Sequence, residues 1–280
     1  MNSGRARLSL VPLTYRNVLP ALQLARRSFG PEFPLVAGTY AWHFYKRAGF
    51  PDPGLMAKRS TASLVSSDGI RSSISFVTTI IHGNDICWVD GHDEGEPDAL
   101  RSFASSWRVC LFRCHFPTPP LDGMILRGAM PAGDGGCTYL FSFPTKPATR
   151  RPRPSTVRHR RLRTTADFFA LSRAGRTVGI TGLYQVEYWP RIAWGAWGTL
   201  TREVARRDAV FDAIRLTEEL ARSRGADWFC IETSSDARYA SARAMYQHYG
   251  LKLLLSIPEF FESPNGQGDD YLVYGKHVGA

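Results

Sequence analysis

The last hundred residues of the chain alternate between strand-like and helix-like apolar patterns, and this alternation restricts the fold more than any other feature. Two apolar runs flank the turn Arg173-Ala174-Gly175-Arg176, which predicts an antiparallel hairpin over residues 167–186. Further strands are predicted at 192–200, 228–233, 251–257 and 271–276, and helices at 209–223 and 237–249 that stop at Gly225 and Gly250. Strands packed around two helices predict an α+β or mixed α/β fold.

One local motif is specific enough to indicate a family. The segment Ser241-Ala242-Arg243-Ala244-Met245-Tyr246-Gln247-His248-Tyr249-Gly250-Leu251 has the spacing Ala-x-x-x-Tyr-x-x-x-Gly. On these residues, the stretch 178–278 resembles the core of the GCN5-related N-acetyltransferase (GNAT) superfamily. The resemblance implies a GNAT fold in the C-terminal half and transfer of an acyl group to an amine. It also implies that Tyr246 is the general acid that returns a proton to the leaving group, the alternative being that Tyr246 packs against the helix 209–223.

The loop expected to hold phosphates departs from the family pattern. GNAT proteins carry Arg/Gln-x-x-Gly-x-Gly/Ala, whose backbone N–H groups and helix N-terminus hold the pyrophosphate of acyl-CoA. Here the loop is Arg206-Arg207-Asp208-Ala209-Val210-Phe211. A Phe ring and an Asp carboxylate beside the amides work against CoA, unless the motif is displaced by one residue.

A second group of residues is predicted to line the acceptor cleft. Glu232 ends the predicted strand 228–233, where a carboxylate could accept the ammonium proton or hold the amine by charge; pairing with a nearby Arg is the alternative. Aromatic side chains on the neighbouring strands could stack on a substrate or fill the core. The predicted substrate-binding residues are Tyr184, Trp194, Trp197, Thr233 and Tyr239, the last standing where the family has an Asn.

The first half of the chain has a similar order of predicted elements. A strand at 5–12 and a helix at 15–29 precede strands at 62–65, 70–81 and 86–90, a helix at 99–112, and strands at 124–127 and 138–143. We therefore expect a degenerate GNAT-like lobe over residues 1–145, a Pro/Arg-rich linker over 146–163, and a GNAT-like acyltransferase lobe over 164–280. The tandem arrangement resembles the GNAT members that use aminoacyl-tRNA.

The net charge of +10 favours a polyanionic partner. Much of it lies in one segment, which is either a solvated linker or a strap that contacts phosphates. The residues predicted to bind phosphate or RNA are Arg150, Arg151, Arg153, Arg158, Arg160, Arg161, Arg163, Arg206 and Arg207. Together with the altered loop, they predict a charged tRNA as acyl donor and tRNA as partner, with a small amine as acceptor.

Two other functions stay open on the sequence alone: an N-acetyltransferase that uses acetyl-CoA, and a non-catalytic RNA-binding module. No apolar run reaches the roughly 18 residues of a membrane span and no secretory signal opens the chain, so we expect a cytoplasmic protein without a membrane partner. Five scattered cysteines indicate reduced thiols, and Cys110-x-x-x-Cys114-His115 has no second metal-binding pair, so no metal is expected.

Overall fold

The fold was obtained as a computed structural model, in which one 14-stranded sheet carries four helices among the described residues. The helices are α1 (Val18–Phe29), α2 (Pro97–Ser105), α3 (Arg207–Ser223) and α4 (Ala240–His248), the last preceded by a 3₁₀ turn, Ala237–Tyr239. The structure describes residues 7–13, 17–29, 58–65, 71–81, 84–90, 97–107, 109–132, 136–144, 156–161, 164–261 and 268–279.

The sheet consists of two halves with the same strand order. The N-terminal half-sheet runs β8-β2-β3-β4-β5-β7-β6, and the C-terminal half-sheet runs β1-β9-β10-β11-β12-β14-β13. In each half, one parallel pair (β4/β5 or β11/β12) is joined by a helix, α2 or α3. The strands are β1 (Ser9–Pro12), β2 (Lys58–Val65), β3 (Arg71–Ile81), β4 (Asn84–Asp90), β5 (Val109–Cys114), β6 (Ile125–Pro131), β7 (Cys137–Ser142), β8 (Thr156–Arg161), β9 (Thr164–Arg173), β10 (Arg176–Val186), β11 (Trp189–Leu200), β12 (Trp228–Ser234), β13 (Lys252–Phe261) and β14 (Asp269–His277).

The two half-sheets exchange their edge strands. β1, the first strand of the chain, pairs with β9 in the C-terminal half-sheet, and the following helix α1 contacts β10 and β11. β8 lies within the predicted linker 146–163, yet it pairs with β2 in the N-terminal half-sheet. The strand pairing therefore crosses the predicted boundaries at residues 145 and 164. The half-sheet to which an edge strand belongs depends on the distant strand with which it pairs, and the neighbouring sequence does not show this.

The half-sheets join at a narrow seam between β13 and β6. Their registered pair is Leu255 with Gly128. A Cβ atom at residue 128 would lie 2.0 Å from the carbonyl oxygen of Leu254, so the close approach requires glycine. The seam brings the two halves into one continuous sheet.

Three hydrophobic clusters define the faces of the sheet. One face of both halves shares a single core, in which Trp88 of β4 contacts Trp189 of β11 at 4.7 Å between ring centroids; we call this the inner face. The opposite, outer face packs under α2 in the N-terminal half and under α3 and α4 in the C-terminal half. Period-two alternation of buried side chains assigns each strand residue to one face.

Most predicted strands and helices are confirmed, and the predicted helix 99–112 is wrong in its second half. The hairpin at 167–186 forms as β9 and β10, and α3 ends where predicted, with Gly225 in the left-handed region at φ 73°. The predicted helix 99–112 is too long: α2 stops at Ser105, and Val109–Cys114 is strand β5. A run of apolar residues fits both structures locally, and parallel pairing with β4 decides for the strand.

Candidate active site

β11 and β12 separate part of the way along their length. They pair in parallel from Ile192 with Trp228 to Gly195 with Ile231. Beyond these positions, within the described ladder, β11 continues to Leu200 and β12 to Ser234 without pairing to each other. Each strand stays paired on its far side, β11 with β10 and β12 with β14. The facing backbone edges leave an opening in the sheet that an extended ligand could fill.

Helix α3 begins beside this opening. Its N-cap residue Arg206 has an extended backbone (φ −104°, ψ 159°), and no side chain caps the first-turn N–H groups. The N–H of Val210 donates to the Arg206 carbonyl at 3.0 Å, which starts the helix. Uncapped N–H groups and the positive end of the helix dipole together favour an anion at this position.

The predicted loop 206–211 is wrong, because all of it except Arg206 belongs to α3. Phe211 lies in the second turn, where its ring packs against Tyr249 of α4 at 5.6 Å between centroids. The guanidinium of Arg207 covers the same ring at 5.4 Å. The Phe side chain is thus directed at the neighbouring helix and away from the first-turn amides, whereas Asp208 remains exposed in the first turn.

Tyr246 lies on the outer face of the C-terminal half-sheet. Its ring is 6.0 Å from that of Tyr274 on β14, and burial raises the pKa of Tyr246 to about 12. The hydroxyl makes no hydrogen bond to the described residues. It stays protonated at neutral pH and is available as a donor. The predicted packing against α3 and the predicted proton donation are compatible, because the ring packs while its hydroxyl has no protein partner there.

Glu232 lies on the inner face, one residue beyond the last β11/β12 pair. Both of its carboxylate oxygens accept hydrogen bonds from tyrosines. Tyr184 donates to Oε2 at 2.6 Å, and Tyr271 donates to Oε1. Burial, followed by the nearby Glu232 carboxylate, raises the pKa of both tyrosines well above the usual range. Half-buried Glu232 is therefore bound from two strands, β10 and β14, that lie on either side of the opening.

A row of aromatic rings leads from the N-terminal half-sheet to Glu232. Trp88 contacts Trp189, whose ring is 5.9 Å from that of Trp194, and Trp194 stacks on Tyr184 at 6.0 Å with 9° between the planes. The indole N–H of Trp194 is buried and has no hydrogen-bond partner among the described residues. The ring of Trp194 is only 3% exposed because it packs among the neighbouring rings. A buried donor that lacks a hydrogen bond costs about 1–3 kcal/mol, which this packing offsets.

The predicted substrate-binding residues are not all in one place. Tyr184 and Trp194 share the inner face with Glu232, whereas Thr233 pairs with Leu272 on the outer face. Tyr239 is the N-cap residue of α4, and its ring lies 5.7 Å from the Arg238 guanidinium. Trp197 belongs to β11, but its side chain is not in the described part of the structure.

The predicted phosphate-binding arginines fall into three groups. Arg150, Arg151, Arg153 and Arg163 lie outside the described residues. Arg206 and Arg207 are at the start of α3. Arg158, Arg160 and Arg161 are on edge strand β8, where Arg160 is directly opposite Arg59 and Arg161 directly opposite Lys58.

Two functional candidates are absent from the sequence prediction. Tyr271 was missed because its bond to Glu232 depends on the pairing of β12 with β14, and the only local signal is its inward position in the alternating segment Asp269–His277. Glu218 of α3 was also missed. It is buried on the outer face, where it accepts from Tyr249 at 2.8 Å and forms ion pairs with Arg222 at 2.5 Å and Lys276 at 2.8 Å.

Within the described ranges, no cluster of His, Cys, Asp and Glu side chains has the geometry to hold a metal ion. Cys110 and Cys114 are buried on β5 as thiols. None of the helices in the same ranges combines the length and the apolarity that crossing a bilayer requires.

The sequence matches no protein-family model, and no curated protein matches it. Solved structures do match. One, from Desulfovibrio desulfuricans, is assigned to the GNAT family of acetyltransferases (17% identity, 40% of this chain and 69% of the other, TM-score 0.37). Another is the ribosomal-protein-S18-alanine N-acetyltransferase of Escherichia coli (14% identity, 41% and 70%, TM-score 0.35).

A third is the microcin C7 self-immunity acetyltransferase in complex with acetyl-CoA and AMP (19% identity, 40% and 61%, TM-score 0.33). These three structures are acetyltransferases. Each likeness covers about 40% of this chain at a TM-score below 0.5, so it assigns neither a family nor an activity to it.

Proposed function

We propose that the protein is an acyltransferase that forms an amide by moving an acyl group from an activated donor to an amine. The single observation that carries this proposal is the opening between β11 and β12. A proton donor, Tyr246, lies on its outer side and a carboxylate, Glu232, lies on its inner side. Acyl transfer to an amine is accelerated by both groups, because the base takes the proton of the amine and the acid returns one to the leaving atom.

The reaction assigns one proton step to each residue. The amine nitrogen attacks the acyl carbonyl carbon and forms the new C–N bond, and Glu232 accepts the proton that nitrogen loses. The tetrahedral intermediate then collapses, the bond from carbon to the leaving sulfur or oxygen breaks, and Tyr246 donates its phenolic proton to that atom. Solvent later returns a proton to Tyr246 and removes one from Glu232, so the enzyme is regenerated.

Acyl-CoA is the donor that the geometry supports best. Because Phe211 packs against Tyr249, the first-turn amides of α3 are not blocked by its ring. Arg206 and Arg207 add positive charge at the same place, and Ala209 adds little bulk. A diphosphate at the start of α3 would direct an attached acyl chain along the facing edges of β11 and β12.

Charged tRNA is the second candidate, and the cationic edge formed by β2 and β8 favours it. Lys58, Arg59, Arg158, Arg160 and Arg161 stand in register on two paired strands. Phosphate contacts at such an edge need no sequence motif, and they would make donor binding strongly dependent on salt. The raised pKa of Tyr246, about 12, also suits a ribose alkoxide leaving group better than a thiolate.

The test is to measure binding and transfer for both donors over a salt series. Saturable acyl-CoA binding together with amide formation supports the first candidate. Transfer from aminoacyl-tRNA, with affinity that falls steeply as salt rises and with no CoA binding, supports the second. Saturable RNA binding with no transfer to a panel of amines from either donor would refute the enzyme and leave the non-catalytic RNA-binding module.

A further inference from the structure

We infer that Tyr184 and Tyr271 are positioning residues that fix the Glu232 carboxylate on the inner face. This inference rests on the proposed function, because it specifies how one of its two proton-transferring groups is held. It also assigns a role to Tyr271, which no sequence motif indicates.

The positions of the two tyrosines support a positioning role. Tyr184 is paired with Trp194, which in turn is paired with Cys230, so its hydroxyl passes β11 to reach Glu232 on β12. Tyr271 is paired with Ser234 on the neighbouring strand and approaches from the other side. One hydrogen bond to each oxygen restricts rotation of the carboxylate about its terminal torsion, which is otherwise broad.

The surroundings keep both tyrosines in the form that can donate. Tyr184 is 5% and Tyr271 1% exposed, and burial raises the pKa of each well above the usual range. The Cys230 thiol on β12 faces the same group, and burial raises its pKa as well. Tyrosine and cysteine side chains on β10, β12 and β14 thus stay neutral near Glu232 at physiological pH, so both tyrosine hydroxyls keep the proton that they donate to its oxygens.

The test compares Tyr184→Phe and Tyr271→Phe with a matched control, Tyr249→Phe. Each change removes one hydroxyl from a tyrosine–glutamate bond and leaves the ring in place, but Tyr249 binds Glu218 on the outer face. Loss of a hydrogen bond to the ionised form raises a carboxyl pKa. We expect kcat/KM for the acceptor to fall about tenfold in each inner-face variant, with the acid limb of its pH profile moved to higher pH and the donor KM unchanged.

A second measurement decides the inference even if no amine is ever acylated. Carboxyl ¹³C NMR of glutamate-labelled protein follows the titration of Glu232, with the signal assigned by its loss in Glu232→Gln. We expect its midpoint to rise in Tyr184→Phe and Tyr271→Phe and to stay unchanged in Tyr249→Phe. Failure of transfer with a normal NMR response would refute the proposed function only. An unchanged midpoint in both inner-face variants would overturn the positioning role.

Discussion

The two parallel strand pairs of the molecule, β4/β5 and β11/β12, share one topology but differ in how far they pair. β4 and β5 pair from Ile86 with Val109 to Asp90 with Arg113, and Asp90 is the last residue of β4. β11 and β12 stop pairing at Gly195 and Ile231, although β11 continues to Leu200. A fully paired strand pair offers no backbone edge to a ligand, so the proposed site is placed in the C-terminal half-sheet.

The helices that join the two strands of each pair also differ, in length and in what lies at their start. α2 has 9 residues and contributes Leu100 and Phe103 to a buried cluster, whereas α3 has 17 residues and an uncapped start beside the opening. The N-terminal half-sheet instead packs on the inner face through Trp88. Repeating a topology therefore does not repeat a site, since the opening and the uncapped helix must coincide.

The largest expected effect is on Glu232. Replacing it with Gln keeps its size and removes the base, so we expect kcat/KM for the acceptor to fall by about 10³. The control is Cys114→Ser, since Cys114 stands one residue beyond the last pair of β4/β5, as Glu232 does beyond β11/β12. Steady-state kinetics of both variants provide the test. An equal loss of activity in Cys114→Ser and Glu232→Gln would contradict the claim that only the β11/β12 pair carries the site.

Removing the hydroxyl of Tyr246 should have the next largest effect. We expect Tyr246→Phe to lower kcat by about 10² without weakening donor binding, because the hydroxyl acts only as the leaving group departs. The loss should be greater with an oxyester donor than with a thioester, since an alkoxide needs the proton more. Equal rates for the variant and the wild type with both donors would exclude the general-acid role.

Glu218 should affect stability where Glu232 affects catalysis. Glu218→Gln breaks an ion pair with Arg222 within α3 and an ion pair with Lys276 that ties α3 to β14. We expect the free energy of unfolding to fall by about 1–3 kcal/mol, with kcat changed less than about twofold. Chemical denaturation and kinetics on the same preparations measure both. A large loss of kcat at unchanged stability would indicate that Glu218, on the outer face, is the catalytic carboxylate in place of Glu232.

The smallest expected effect is an increase in affinity for acyl-CoA. Asp208 is exposed in the first turn of α3, where its charge opposes a bound diphosphate. We expect Asp208→Asn to tighten acyl-CoA binding by about two- to fivefold, as expected for one charge at a helix N-terminus. Glu219→Gln, three turns further along the helix, serves as the control in calorimetry. Tighter binding in Glu219→Gln as well would indicate a general charge effect and no phosphate site at α3.

The sequence predicted the elements whose signals are local. The hairpin at β9 and β10 carries its own turn residues, and Tyr246 follows from the spacing of a short motif. Glu232 could be proposed because it ends a recognisable strand. In each case, a few neighbouring residues contain the whole signal.

Features that depend on pairing between distant segments could not be predicted. Nothing local in Ser9–Pro12 or Thr156–Arg161 indicates which half-sheet each strand completes. The bond from Tyr271 to Glu232 requires the register of β12 with β14. The motif placed the start of α3 too late, and Phe211 was therefore predicted to lie in the phosphate loop. In the structure α3 begins at Arg207, so Phe211 lies in its second turn.

The most direct test of the central claim is hydrogen–deuterium exchange with and without a non-reactive thioether analogue of acyl-CoA. The account predicts slower exchange at residues 196–200 of β11, at 207–210 of α3 and at 232–234 of β12, with no change in β4 and β5. Protection of β4 and β5, or saturable binding that leaves β11, α3 and β12 unchanged, would contradict a donor site in the opening of the C-terminal half-sheet.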